Sequence, residues 1–249
     1  MIDHPVVLPK MMFVTAWEMT TTGGDLPAVI GTNTHYWMAE DSRRTLVVDT
    51  MEALREQGLA RGDRLHPGWK NTLAVIGRSD REFYAWNHFS DGTATSILVA
   101  ARDRDAVRVV VGEDAVMIDP VEPKFLATHL LEALPDVPGA AVRTVAIPEG
   151  LLEDSDAAPA DPLAEPIDTR DVEYLSGLMR APRDAIHQLY TATRTVDGER
   201  ERSLPISALD LTGQGRILTY MTGDDYIAVT TGSPHRLIRT LNNTHQQLV

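Results

Sequence analysis

Through the middle of the chain, apolar residues recur at alternate positions or in short unbroken runs. Glu82–Phe89, Ser96–Ala101, Ala106–Val111 and Ala115–Ile118 are such runs, and they predict four strands. Between the first two, Asp91-Gly92 is a dipeptide favoured in tight hairpin turns. Arg102-Asp103-Arg104-Asp105 and Gly112-Glu113-Asp114 supply the next two turns. On either side the spacing lengthens to three and four. Trp69, Leu73 and Ile76 predict a helix over Trp69–Gly77. Leu126, Leu130 and Leu134 predict another over Glu122–Leu134, opened near Pro123. The unit is helix, four-stranded meander, helix.

The same order then returns. A helix is predicted over Val172–Met179, followed by strands at Ala185–Thr193, Leu204–Leu211, Arg216–Met221 and Tyr226–Thr230. A last helix spans Pro234–Leu248, with Ser233 as its N-cap. Fixed offsets tie the copies together. Asp91-Gly92 matches Asp197-Gly198, and Tyr84 matches Tyr190, 106 positions on. Gly112, Asp114, Pro123, Leu126 and Leu130 match Gly223, Asp225, Pro234, Leu237 and Leu241, 111 positions on. The change of offset places five extra residues in the second copy, near its second hairpin. One such unit leaves its sheet edges unpaired. Two can join edge to edge into one long antiparallel sheet with helices on one face, leaving the other face as a broad platform. The predicted fold class is therefore α/β of the α+β kind: a central antiparallel sheet with helical bundles and two quasi-symmetric halves.

Before the first unit, Phe13–Met19 is read as a strand. Ala39–Gln57 is read as an amphipathic helix, with Leu46, Val47, Met51 and Leu54 inward and Gly58 just past its end. The predicted organisation is an N-terminal half, 1–148, a connector, 149–171, and a C-terminal half, 172–249, forming one structural domain.

Charge refines this picture mainly at the connector. The 249 residues carry a net charge of −13. Between Glu149 and Asp171 eight acids face one base, Arg170, and prolines stand at 159, 162 and 166. Such a stretch reads as a solvated linker, so much of the acidity says little about a binding surface. The acidic balance argues against nucleic-acid binding. The chain has no cysteine, which excludes disulfides and thiolate chemistry. No signal peptide or membrane span is read, and the expected compartment is the cytoplasm.

Catalytic seeds are missing. There is no P-loop, no G-x-G-x-x-G and no G-x-S-x-G. Thr21-Thr22-Gly23-Gly24-Asp25 reads as a turn, and Gly213-Gln214-Gly215 as a hairpin loop. None of the eight histidines has metal-ligand spacing. His88 and His187 on or beside strands, and His129 and His245 on helices, read as structural or surface residues. The acid pairs Glu113/Asp114 and Asp224/Asp225 fall in matched turns. No enzyme, metal or cofactor is expected.

One strand stands out. On Glu82–Phe89, Phe83, Ala85 and Phe89 share one face, and Tyr84, Trp86 and His88 share the other. Tyr190 is the counterpart of Tyr84. If the first set meets the helices, the second lies on an open sheet face suited to a protein partner. The alternative is that a further helix, such as Ala39–Gln57, covers it.

Several local patterns occur in one order along nearly the whole chain. They are Asp25-Leu26-Pro27-Ala28-Val29-Ile30-Gly31, Leu54-Arg55-Glu56-Gln57-Gly58-Leu59, Leu65-His66-Pro67 with a short apolar helix, Gly77-Arg78-Ser79-Asp80-Arg81-Glu82, Asp210 followed by Gly215-Arg216, and a leucine-rich C-terminal helix. In this the chain resembles the EspG family, cytosolic adaptors of type VII (ESX) secretion. The resemblance implies a central antiparallel sheet with approximate two-fold symmetry and no catalysis. It implies a partner, the helical tip of a PE–PPE-like heterodimer, kept soluble and directed to the secretion machinery. The candidate contacts are Tyr84, Trp86, Arg108, Val110 and Tyr190 on the proposed open face, with Leu237 and Leu241 on the C-terminal helix. Two other readings stay open: a homo-oligomeric scaffold, homodimeric when free, and a small-ligand-binding protein without catalysis.

Overall fold

The structure is a computed structural model, described for residues 1–20, 25–31, 38–150, 169–195, 197–222 and 225–249. The Thr21–Gly24 turn, the interior of the acidic connector, and Gly223 and Asp224 of the second copy lie outside the described residues.

The first copy builds α3 (Pro67–Gly77), then β4 (Arg81–Phe89), β5 (Ala94–Arg102), β6 (Asp105–Val111) and β7 (Ala115–Pro120), then α4 (Leu126–Leu131). The second builds α5 (Thr169–Arg180), β9 (Arg183–Arg194), β10 (Arg200–Arg202), β11 (Ile206–Leu211), β12 (Gly215–Thr222), β13 (Tyr226–Thr231) and α6 (Pro234–Gln246). α4 is shorter than predicted, since residues 122–125 form turns rather than helix. Ser233 caps α6 as predicted, its Oγ accepting from Arg236 N–H.

The two meanders join through β4 and β9. A short hairpin of β2 (Ala60–Arg61) and β3 (Arg64–Leu65) stands apart. The main sheet runs from β1 (Val6–Pro9) through β7-β6-β5-β4-β9-β11-β12-β13 to β8 (Val145–Pro148), with β10 beside β9. Tyr84 and Tyr190, which the 106-residue offset relates, lie directly opposite one another across the β4–β9 ladder. The pseudo-dyad therefore passes between them. The outer strands repeat too. β1 (Val6–Pro9, VVLP) pairs with β7, and β8 (Val145–Pro148, VAIP) pairs with β13, each with alternating burial. Each edge carries proline, which cannot donate to a further strand.

At one point the copies differ in register. Arg202 pairs with Ala192 and Ile206 with Leu189, so the chain advances four residues against three. This is a bulge over Ser203–Pro205. At least one of the five extra residues therefore enters here, between β10 and β11, and not near the second hairpin. Ser203 ties the bulge down: its N–H donates to Thr191 O at 2.9 Å and its Oγ accepts from Thr191 N–H at 3.1 Å.

Helices cover both faces, and not one face alone as expected, because apolar residues alternate onto both sides of the strands and each side needs cover. On one face α4 and α6 pack over the pseudo-dyad, on Phe83, Ala85, Ile97, Leu189 and Leu218. The opposite face carries two separate cores. Over the first copy, α1 (Lys10–Glu18), the Ala28–Ile30 turn and α3 bury Leu98, Val107, Val109 and Ile118. Over the second copy, α5 buries Leu209, Ile217 and Val229 beneath Leu175 and Leu178. The predicted Phe13–Met19 strand is thus a helix. Phe13 to Trp17 are all buried, so no polar side breaks the run, and a short apolar run does not distinguish strand from helix.

α2 (Glu40–Glu56) packs against α1 and ends as predicted. Gly58 has φ 71°, and its N–H donates to Arg55 O at 3.0 Å while that of Leu59 donates to Leu54 O at 2.7 Å. Both bonds of a Schellman cap are made. Gly58→Ala forces a Cβ into the left-handed region, and urea titration should show a loss of about 1 kcal/mol.

The α4–α6 face also buries a polar row across the sheet. Asn87 on β4 meets His187 on β9, with Oδ1 to Nδ1 at 2.9 Å. His187 Nε2 meets Asp210 Oδ2 on β11 at 3.0 Å. Arg216 on β12 holds Asp210 through Nε to Oδ1 at 2.5 Å and Nη2 to Oδ2 at 2.9 Å. Arg216 Nη2 also donates to Pro135 O at 3.0 Å, just past α4. Its backbone is bound to the same crossing segment, from Arg216 N–H to Pro138 O and from Ala140 N–H to Arg216 O. The crossing is tight at Gly215, φ 95°, where a Cβ would come within 2.5 Å of Pro138 O. His187 is structural, as its spacing suggested.

Candidate partner-binding surface

On the face that bears α1, α3 and α5, the helical cores part over the pseudo-dyad, and among the described residues no α-helix covers the sheet there. Strand alternation brings Tyr84 and Trp86 of β4 and Tyr190 of β9 together there. Tyr84 stacks on Tyr190 at 5.2 Å between ring centroids with planes 9° apart. Trp86 meets both edge-on, at 5.3 Å from Tyr84 and 5.4 Å from Tyr190. Tyr84 is buried at 2% exposure, while Trp86 and Tyr190 are half-buried. Tyr84 and Trp86 line a cleft of about 330 Å³, with Tyr190 packed against both at its margin. One wall is the Asp25–Val29 segment, moored where Ser96 Oγ donates to Val29 O. The covering element at this edge is therefore that segment, and not Ala39–Gln57 as the alternative had it.

The other wall is arginine. Arg194, Arg200 and Arg202 lie on the same face of the β9–β10 ladder as Tyr190, and all three line the cleft. Arg200 donates to Glu82 Oε2 from Nε at 2.9 Å and Nη2 at 2.6 Å, and its guanidinium lies 5.3 Å from the Tyr84 ring centre. Burial works against the charge of Arg200. The Glu82 carboxylate and the Tyr84 hydroxyl outweigh it and hold the guanidinium above its ordinary value. Arg194 donates to the carbonyls of Ser79, Gly77 and Gly198. Arg202 is exposed and lies 5.5 Å from the Tyr190 ring centre. Sequence reasoning missed these arginines, although Arg200-Glu201-Arg202 alternates as a strand should. The bulge that follows, which breaks the β5 counterpart in two, was not legible as such.

The seven candidates do not converge. Tyr84 and Trp86 line the cleft, and Tyr190 packs against both. Arg108 and Val110 lie on the opposite face, because Phe83 pairs with Val99 and Val99 with Arg108, which puts Arg108 in line with Phe83. Val110 follows through Ile97 and Ala85. Arg108 is engaged there by Asp119 Oδ2 at 2.6 Å, Glu132 at 3.2 Å and the His129 carbonyl at 3.2 Å, fastening α4 to the sheet. Leu237 and Leu241 have no exposure and belong to the core beneath α6. Reading all five strand residues onto one face failed because parity along β6 is fixed only by register with β5.

Among the described residues no cluster of three or more acidic or histidine side chains is placed to hold a metal ion, and no helix is long and apolar enough to cross a membrane.

The fold can be set beside known proteins. The family model described as the EspG family matches residues 10–243. The chain belongs to the EspG family. Among solved structures it is similar to the Mycobacterium tuberculosis type VII secretion system chaperone EspG5, determined in complex with a PE25–PPE41 dimer. The TM-score is 0.71, at 15% sequence identity, covering 96% of each chain. No curated protein matches by sequence. The EspG-like antiparallel sheet with helices, expected from the sequence, is the fold observed.

Proposed function

We propose that this EspG-family protein is a non-catalytic cytoplasmic chaperone of type VII secretion. On this reading it binds the tip of a helical, PE–PPE-like client, keeps it soluble and directs it to the secretion machinery. The observation that carries the reading is the aromatic cluster of Tyr84, Trp86 and Tyr190, whose Trp86 and Tyr190 stay partly exposed between two helical cores, among the described residues of an EspG-family fold. Aromatic side chains with one exposed side supply large contact area at low conformational cost, as interface anchors do. A helical-hairpin tip with apolar residues at its end would otherwise associate with itself. The cleft lining offers anchors and cations, but no nucleophile beside a base.

The test is co-expression with helical PE–PPE-like pairs, followed by size exclusion. A complex that co-elutes and keeps the client soluble without added nucleotide is the expected result. Clients that all remain insoluble and never co-elute would overturn the reading.

A further inference from the structure

Charge in the cleft runs against the charge of the chain. The protein carries −13 overall, yet the cleft lining carries three arginines against two acids, Glu82 and Asp25. Position sorts the three. Arg200 is neutralised by Glu82, a buried carboxylate that also accepts from Ser79 Oγ at 2.7 Å. Arg194 has its guanidinium turned onto three backbone carbonyls. Arg202 is different. Among the described residues it has no carboxylate within ion-pair distance, and its neighbour Glu201 points to the opposite face of β10. Its guanidinium sits over Tyr190 at 5.5 Å from the ring centre, and the side chain is exposed. The Ser203–Pro205 bulge, fixed by Ser203 to Thr191, ends β10 directly after Arg202. Bulges of this kind re-aim side chains beside sites.

We infer that Arg202 is the receptor for a carboxylate of the client tip, held beside an apolar side chain that lies on Trp86 and Tyr190. The inference rests on the chaperone reading and adds the chemistry of what that site selects. A guanidinium pre-oriented on an aromatic ring takes a carboxylate through paired N–H groups. The apolar neighbour excludes water from the pair and strengthens it. A basic side chain at the same tip position would meet Arg202 and be rejected. The occupant is thus an acidic–apolar pair on a helical tip.

The experiment displays a library of two-helix hairpins, randomised at the tip, and selects it on the wild-type protein, on Arg202→Glu and on Trp86→Ala. Arg202 is exposed, so Arg202→Glu should melt as the wild type does. Tips enriched on the wild type should carry Asp or Glu next to a large apolar residue, and should be lost on Trp86→Ala. Arg202→Glu should enrich Lys or Arg at that same position. Purified acidic tips should bind Arg202→Glu about tenfold more weakly by fluorescence anisotropy. If tips are enriched but their charge is indifferent to Arg202, the carboxylate receptor is wrong while the chaperone reading stands. If the wild type enriches no tip at all, both fall.

Discussion

Asp210→Ala is expected to lower the free energy of unfolding by about 3–5 kcal/mol, because it leaves Arg216 buried without its counter-charge. Arg216 is 1% exposed and Asp210 3%. The guanidinium would keep only neutral partners, Pro135 O at 3.0 Å and the long 3.5 Å contact with His187 Nε2, and His187 would lose its carboxylate. A urea titration reads the loss directly. Replacing both charges with apolar residues of similar size should recover part of it, since desolvation of the pair opposes its attraction. A double variant as unstable as Asp210→Ala would show that the cost is not that of an orphaned charge. The same carboxylate makes a pH prediction. Burial raises the Asp210 carboxyl, and hydrogen bonds and charge from Arg216 and His187 outweigh it, leaving it lowered to about 2 against 3.8 ordinarily. The folded protein therefore binds this proton less readily than the unfolded chain. The stabilisation is fully present above about pH 4 and is lost as pH falls through about 2, on the order of 2 kcal/mol in all. Asp210→Ala should lack that part of the acid limb. Identical losses of stability in both proteins across that window would remove Asp210 as their source.

The polar row explains which parts of the molecule were legible in the chain and which were not. Turns and strands were, because Asp91-Gly92 and Asp197-Gly198 carry their own backbone chemistry and apolar alternation carries the strands. The repeated order of elements was too, and it matched Tyr84 to Tyr190, but only the β4–β9 pairing set the two opposite one another. Side-chain sets that cross strands were not. Asn87, His187, Asp210 and Arg216 are separated by up to 100 residues along the chain between neighbours, and only register brings them into one row. Arg108 was assigned to the wrong face for the same reason. Residues 10–18 failed differently: Phe13 to Trp17 are buried on every side, so no period of 3.6 survives to be read. Arg202 was missed because its role comes from a bulge, and one inserted residue leaves no signature that survives without the partner strand.

The largest effect on binding is expected at Trp86. Its ring closes the aromatic trio edge-on against both tyrosines, while part of it stays exposed in the cleft. A central, partly buried tryptophan has the character of a hot spot, and truncation at such sites costs about 2–4 kcal/mol of binding, roughly 30- to 1,000-fold in Kd. Trp86→Ala should therefore abolish co-elution of the client at micromolar concentration while the protein remains folded by circular dichroism. Val110→Ala is the matched control. Val110 is half-buried on the far face, in line with Ile97 and Ala85, so its truncation should change affinity less than twofold. The two substitutions separate the faces that sequence alone had merged. Should Val110→Ala weaken the complex and Trp86→Ala leave it intact, the client docks on the α4–α6 side, and the cleft between the two helical layers is not where this protein holds its partner.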